Sequence, residues 1–390
     1  MMNNNLRGSV AIVGVGQAGI GEAHGRTDME IMVEAAQKAV SDAGLSMRDI
    51  DGIATASVGA SMWALPTVEY LGIRPKFIDS TMLGGCSFVS HMLPAMMALN
   101  AGLCDNVLVC YGANARTSPT MTFAQQESRR AQFDPHPYET PYQSNIVTSY
   151  ALAAARHMHQ YGTTRRDLAE VAVAARKWAQ LNPEAFMRDP LTIEEVLAAR
   201  LIADPLSLRD CCMVSDGAGA YVLTRADRAK HLKQKPVYVL GNASAVWHRQ
   251  ISSMPDLTVT AAQESGERAF AMAGMQPSDI DVVELYDAFT INTILFLEDL
   301  GFCKKGEGGA FVANGGIAPG GRLPVNTNGG GLSCVHPGMY GMFITIEAVR
   351  QLRGEGGARQ VAGAETAVVH GNGGLLSAQA TAILGTEAAL

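Results

Sequence analysis

Charged side chains are scarce in this chain: they make up 17% of 390 residues, with a formal balance of −7 at pH 7. No block of Lys and Arg occurs, which argues against a nucleic-acid partner. No apolar run reaches the roughly 18 residues that a membrane-spanning helix needs, so no membrane association is expected. The opening, MMNNNLRGSVAIVGVG, lacks the charged-then-apolar order of a secretory signal, so a soluble cytoplasmic protein is expected. Cysteines number 7, an odd count scattered along the chain with no CxxC pair. That argues against a disulfide framework and against a zinc site in this chain.

What is present is apolar and rich in glycine: 47% hydrophobic residues and 41 Gly. Such a composition excludes disorder and suits a well-packed α/β enzyme long enough for a large core. Residues 9–16, 51–58 and 105–112 read as buried strands. Residues 28–44 read as an amphipathic helix stopped by Gly44, and residues 86–102 as a long apolar helix that Pro94 should kink. The alternation predicts a mostly parallel sheet covered on both faces. Polar and charged residues rise after residue 112, and helical segments such as RRDLAEVAVAARKWAQL dominate to residue 209.

The second half repeats the first. AGLSMRDIDGIATAS (residues 43–57) matches AGMQPSDIDVVELYD (residues 273–287): a helix end, a glycine stop, a DID tripeptide and a strand. Residues 1–112 plus 210–228 therefore read as one half, 113–209 as a mainly helical insertion, and 229–390 as the other half. The helix opened by Cys86, in LGGCSFVSH, should have a counterpart opening near His336, with both N-termini facing one cleft. A cysteine at a helix N-terminus is either a thiolate favoured by the free N–H groups or a small packing residue. Gly14–Gly19 is not read as a dinucleotide fingerprint, because no acidic residue stands about 20 further on in a second strand.

These features, in this order, resemble the sterol-carrier-protein-type branch of the thiolase superfamily over essentially the whole chain. Cys86 stands where that family has its acyl-accepting cysteine. YDAF (residues 286–289) occupies the place of its NEAF or HDCF box, VHPG (335–338) that of its Gly-His-Pro box, and HGNGG (370–374) that of its final glycine-rich loop. DCCMVSDGAGAYVL (210–223) resembles the stretch leading into the last strand of the first half. The implied fold is α/β, with duplicated βαβαβαββ halves in a layered α-β-α-β-α sandwich and a helical insertion.

The departures bear on chemistry. Tyr286 replaces the Asn or His of the box, Ala288 replaces the HDCF cysteine, and the final loop has His370 and no cysteine. The second cysteine, which moves the α-proton, is thus missing. The resemblance implies Cys86 as nucleophile and Gly371, Gly373 and Gly374, with the Cys86 N–H, as an oxyanion hole. The base role falls to His336 or Cys334, with His370 in reserve, and oxyanion donation to Tyr286. Asp287 reads as a helix cap.

The leading expectation is a thiolase-type acyltransferase that cleaves or forms a C–C bond beside a CoA thioester, in the degradative direction, through a Cys86 acyl-enzyme. Coenzyme A enters as substrate and acyl carrier. The YDAF box and missing second cysteine favour instead a retro-aldol lyase acting on a β-hydroxyacyl-CoA. A non-catalytic acyl-CoA or lipid-binding subunit is the third reading. The resemblance also implies a homodimer, paired through the apolar DNVLVCYG region, and a small OB-fold and zinc-ribbon partner completing a heterotetramer.

Overall fold

The computed structural model describes residues 6–60, 62–118, 137–142 and 144–390. Part of the inserted region, residues 119–136, lies outside them. Nine strands form one sheet: β1 (Val10–Gly21), β2 (Gly52–Thr55), β3 (Phe77–Asp79), β4 (Asn106–Ala113), β7 (Asp216–Arg225), β8 (Val237–Val246), β9 (Val282–Leu285), β10 (Thr366–Gly373) and β11 (Ala378–Gly385). A separate ribbon pairs β5 (Leu201–Ala203) with β6 (Leu206–Ser207). Helices α1 (Asp28–Asp42), α2 (Ala64–Leu71), α3 (Ser87–Ser90) and α4 (Met92–Asn100) belong to the first half. Helices α5 (Ile146–Tyr161), α6 (Arg165–Gln180) and α7 (Ile193–Ala198) build the insertion. The second half carries α8 (Ala262–Ala273), α9 (Thr290–Asp299), the single turn α10 (Gly330–Ser333) and α11 (Gly341–Arg353).

The strand order is β3-β2-β4-β7-β1-β8-β11-β10-β9. It is two half-sheets that meet along β1 and β8, where Ala11 faces Tyr238 and Ile12 faces Val237. Val325 pairs in parallel with Val283 and stands where β3 stands in the first half. Helix α1 covers the outer face of the first half-sheet and α8 that of the second, while α3, α4 and α11 lie between the two sheets. The layers are α-β-α-β-α, as the resemblance implies.

The repeat is visible atom by atom. Gly44 and Gly274 end α1 and α8 with φ of +75° and +65°. Single 3₁₀ turns follow at Met47–Asp49 and Pro277–Asp279. The Asp51 carboxylate then accepts from the Asp105 and Asn106 N–H groups at 2.8 and 2.9 Å. Asp281 accepts from Glu365 and Thr366 at 2.8 and 3.0 Å. Outer helices approach so closely that a Cβ on Gly14 would lie 2.1 Å from the Ala39 oxygen, and one on Gly241 2.1 Å from that of Ala269. Helix starts follow local rules: Thr27 accepts from the Glu30 N–H while the Glu30 carboxylate accepts from that of Thr27.

Two expectations change, and the kink expected at Pro94 is met. The sheet is mixed, because β7 and β11 return antiparallel to their neighbours; only β2–β3, β2–β4 and β9–β10 are parallel. The central helix of the first half breaks at His91, one turn before Pro94, whose missing N–H leaves the Ser90 carbonyl without its helical donor. The DNVLVCYG segment is β4, with β2 on one side and β7 on the other, so its edges are not open to a second copy. The sheet ends at β3 and at β9, and a single bridge from Val325 covers part of the β9 edge.

Candidate active site

Cys86 caps α3, in the layer between the half-sheets, and is 0% exposed. Absent side chains let its surroundings close in. A Cβ on Gly371 would lie 2.9 Å from the Cys86 Cα, and one on Gly373 3.0 Å from Sγ. A Cβ on Gly84 would lie 2.9 Å from the Gly374 nitrogen. The glycine-rich loop is thus folded directly onto the cysteine. On the other side, a Cβ on Gly85 would fall 2.2 Å from the Tyr286 ring and 2.4 Å from its hydroxyl oxygen. The central helices meet here too: the Gly341 N–H donates to the Gly85 oxygen at 3.1 Å.

The Cys86 thiol donates to the Leu83 carbonyl at 3.5 Å. Burial pushes its pKa up to about 12, so it is a thiol and not a thiolate in this state. The helix that it opens has a single turn, which offers little dipole to offset the desolvation.

Tyr286 leaves the end of β9, where its N–H donates to the His370 oxygen. Its hydroxyl donates to the Gly338 carbonyl at 3.1 Å. Its ring stands edge-on to His336, with centroids 5.5 Å apart, and to Tyr340, 5.7 Å away. His336 and Tyr340 stack at 6.0 Å. Desolvation raises the pKa of both phenols, keeping them protonated as hydrogen-bond donors. The Tyr340 hydroxyl donates to Asn328 Oδ1 at 2.8 Å.

His336 lies on the loop before α11 and does not open that helix itself. Its N–H donates to Ser215 Oγ at 2.9 Å, tying it to the segment that leads into β7. Its Nε2 is buried and has no hydrogen-bond partner among the described residues. Burial lowers its pKa to about 4, so the ring is neutral at pH 7. Asp287 holds this loop from below: its Oδ1 accepts from the Gly331 N–H at 2.6 Å, at the start of α10. Desolvation raises its pKa to about 7.

Cys86, Tyr286, His336, Gly371, Gly373 and Gly374 are therefore one constellation, in which the Tyr286 ring bridges Gly85 and His336. Cys334 and His370 point elsewhere. Cys334 Sγ accepts from Asn182 of the insertion at 3.5 Å, and burial raises its pKa. His370 has Thr381 Oγ1 at 2.9 Å from Nδ1 and Gln379 Oε1 at 3.0 Å from Nε2, both across the β10–β11 ladder. Burial lowers its pKa to about 3. Residues that the sequence did not single out complete the site. Tyr340 lines it, and Tyr150 of the insertion accepts from Asn372 Nδ2 at 2.7 Å while donating to the Gly374 oxygen at 3.0 Å. Cys212 donates its N–H to the oxygen of Ala288, the position of the family's missing thiol. Among the described residues no cluster of His, Cys, Asp and Glu could hold a metal ion, and no helix is long and apolar enough to cross a membrane.

Residues 243–386 match the family model for a thiolase C-terminal domain-like region. A 17-hydroxy-3-oxo-4-pregnene-20-carboxyl-CoA lyase of Mycobacterium tuberculosis is 36% identical, covering 93% of this chain and 96% of its own. The chain belongs to the sterol-carrier-protein-type branch of the thiolase superfamily. It is an enzyme of that acyltransferase-type superfamily. An acetyl-CoA acetyltransferase of Methanothermobacter thermautotrophicus is similarly related, at 35% identity over 94% of this chain and 96% of its own. The Ltp2-ChsH2(DUF35) aldolase superposes with a TM-score of 0.86 at 33% identity, covering 98% of this chain and 99% of that one.

Proposed function

We propose that this thiolase-family enzyme cleaves the Cα–Cβ bond of a β-hydroxyacyl-CoA by retro-aldol chemistry. The observation that carries this reading is the division of labour within the site. The Cys86 thiol has only a carbonyl as hydrogen-bond partner and a pKa of about 12. Beside it, two protonated phenols surround a neutral imidazole whose Nε2 is unpartnered. A retro-aldol step needs a base and oxyanion donors, not a nucleophile. His336 Nε2 takes the proton of the β-hydroxyl; the C–O bond becomes a carbonyl as the Cα–Cβ bond breaks. The electron pair moves to the thioester as an enolate, held by the N–H groups of the Gly371–Gly374 loop. The imidazolium returns its proton to the α-carbon, and Tyr286 donates to the oxygen that carries developing charge. Two of the relatives described above are named as a lyase and an aldolase, which supports the same reading.

Thiolysis through a Cys86 acyl-enzyme is the second reading, favoured by the glycines that clear space around Sγ. Free CoA separates the two. The lyase converts a β-hydroxyacyl-CoA to a carbonyl compound and a shorter acyl-CoA without added CoA. Cleavage only of a β-ketoacyl-CoA, only with added CoA and yielding two thioesters, overturns the proposal.

The expected assembly is a homodimer. Its support is the open β3 edge, flanked by exposed Ile78, Leu65, Tyr70 and Met82. A small DUF35-type partner is expected by likeness to the aldolase complex.

A further inference from the structure

The helical insertion forms an open cleft of about 550 Å³ that the catalytic constellation does not use. Its walls are α6, α7, the loop at residues 187–191 and the ends of the β5–β6 ribbon. Three arginines line it: Arg176, Arg200 and Arg209. Arg176 is only 4% exposed. Its Nε donates to Ser333 Oγ at 2.9 Å and its Nη1 to the Asp189 carbonyl at 2.8 Å. Its Nη2 finds only the Met187 sulfur, at 3.9 Å. A buried guanidinium with a weakly served fork is costly unless an anion completes it. Desolvation and the nearby Arg209 charge lower the Arg176 pKa, while Asp189 and Glu195, which also line the cleft, raise it. Glu195 already accepts from the Thr192 N–H and hydroxyl at 2.8 and 3.1 Å, as a helix cap. Among the described residues, no carboxylate forms an ion pair with any of the three arginines.

We propose that this cleft binds the phosphate group of a small molecule, with Arg176 as its floor and Arg200 and Arg209 as its sides. A phosphate dianion presents the oxygens that planar guanidinium forks match in pairs. Beside Asp189 and Glu195, Leu191, Ala198, Ala199 and Leu208 add an apolar stretch of wall suited to the organic part of such a molecule. The site touches the catalytic loop through one hydrogen bond, because Ser333 ends α10, whose first N–H groups Asp287 holds. The phosphate has two possible sources. It is either the phosphate end of the CoA ester, which rests on the function proposed above, or a separate phosphorylated effector, which does not.

Calorimetric titration of the full chain with inorganic phosphate, at constant ionic strength against chloride, tests the site without turnover. Saturable phosphate binding is expected, weakened at least ~10-fold in the double variant Arg200→Gln/Arg209→Gln, which alters no fully buried side chain. Competition by CoA, with a raised KM and unchanged kcat in that variant, assigns the site to the substrate. Phosphate binding that CoA does not displace assigns it to an effector. No saturable binding, or binding equal in wild type and the folded double variant, overturns the proposal.

Discussion

The two halves of this molecule are built alike and used differently. Asp51 and Asp281 fasten the same turn to the same neighbouring strand, and α1 and α8 end on the same left-handed glycine. Divergence begins where β2 and β9 end. In the first half a short loop from β3 leads straight to Cys86. In the second a longer path from Val325 passes through α10, Cys334, His336 and Tyr340 before α11 begins. Duplication thus supplies the frame and the two central helices. On the proposed retro-aldol reading, catalytic character comes from what the second half adds beyond the repeat.

Removing the added groups should have the largest effect. His336→Ala should lower kcat by ~10²–10⁴-fold in a steady-state assay with a β-hydroxyacyl-CoA, and Tyr286→Phe should fall in the same range. If both variants keep wild-type rates, the second half does not carry the chemistry.

A smaller loss is expected at the seam between the halves. The Cβ of Gly85→Ala would lie 2.2 Å from the Tyr286 ring, so the ring must leave its present position beside His336. Turnover should drop by ~10²-fold, the scale for ångström misplacement of a reacting group. Wild-type kcat in a folded Gly85→Ala protein would show that Tyr286 needs no fixed position.

The equivalent fasteners should act equally. Asp51→Ala and Asp281→Ala should each cost about 1–3 kcal/mol in denaturant unfolding, since each frees two N–H groups from a charged acceptor. A large inequality would mean that the halves fold as unequal units.

The smallest effect concerns pH. The retro-aldol proposal needs a neutral His336 as base, and burial holds its pKa near 4. The acid limb of kcat/KM that belongs to His336 should therefore sit near pH 4, separate from the change near pH 7 where Asp287, which holds the loop, takes up a proton. A limb at about 6.5 that persists in Asp287→Asn would indicate a solvent-exposed imidazole. The same depressed values bear on stability. His336 and His370 contribute stability that is present above about pH 6.5 and lost as pH falls toward 4 and 3.

Much of this was legible in the sequence. The shared DID tripeptide exposes the repeat because each copy does the same local work. Gly84, Gly85, Gly371 and Gly373 flag the close approaches because only glycine fits them. Direction was harder to read. Successive strand residues face opposite ways, so Gly371 and Gly373 facing Cys86 turn His370 toward Thr381 and Gln379. Cys334 follows a single helical turn whose orientation depends on Asp287 and Asn182, far apart in sequence. The mixed sheet arises from antiparallel returns at β7 and β11, which the strand–helix alternation of the first part of the chain does not show. Tyr340 was hidden because one aromatic after a glycine turn carries no motif of its own.

The most direct test of whether bond cleavage belongs to the second half is the Cys86→Ala variant, assayed with a β-hydroxyacyl-CoA in the absence of free CoA. The retro-aldol account predicts that this variant keeps a kcat within about threefold of wild type and forms no covalent adduct detectable by intact-mass spectrometry. Loss of turnover in a folded Cys86→Ala protein, together with a mass increase of wild-type enzyme equal to the acyl group, would contradict it and return the chemistry to the cysteine of the first half.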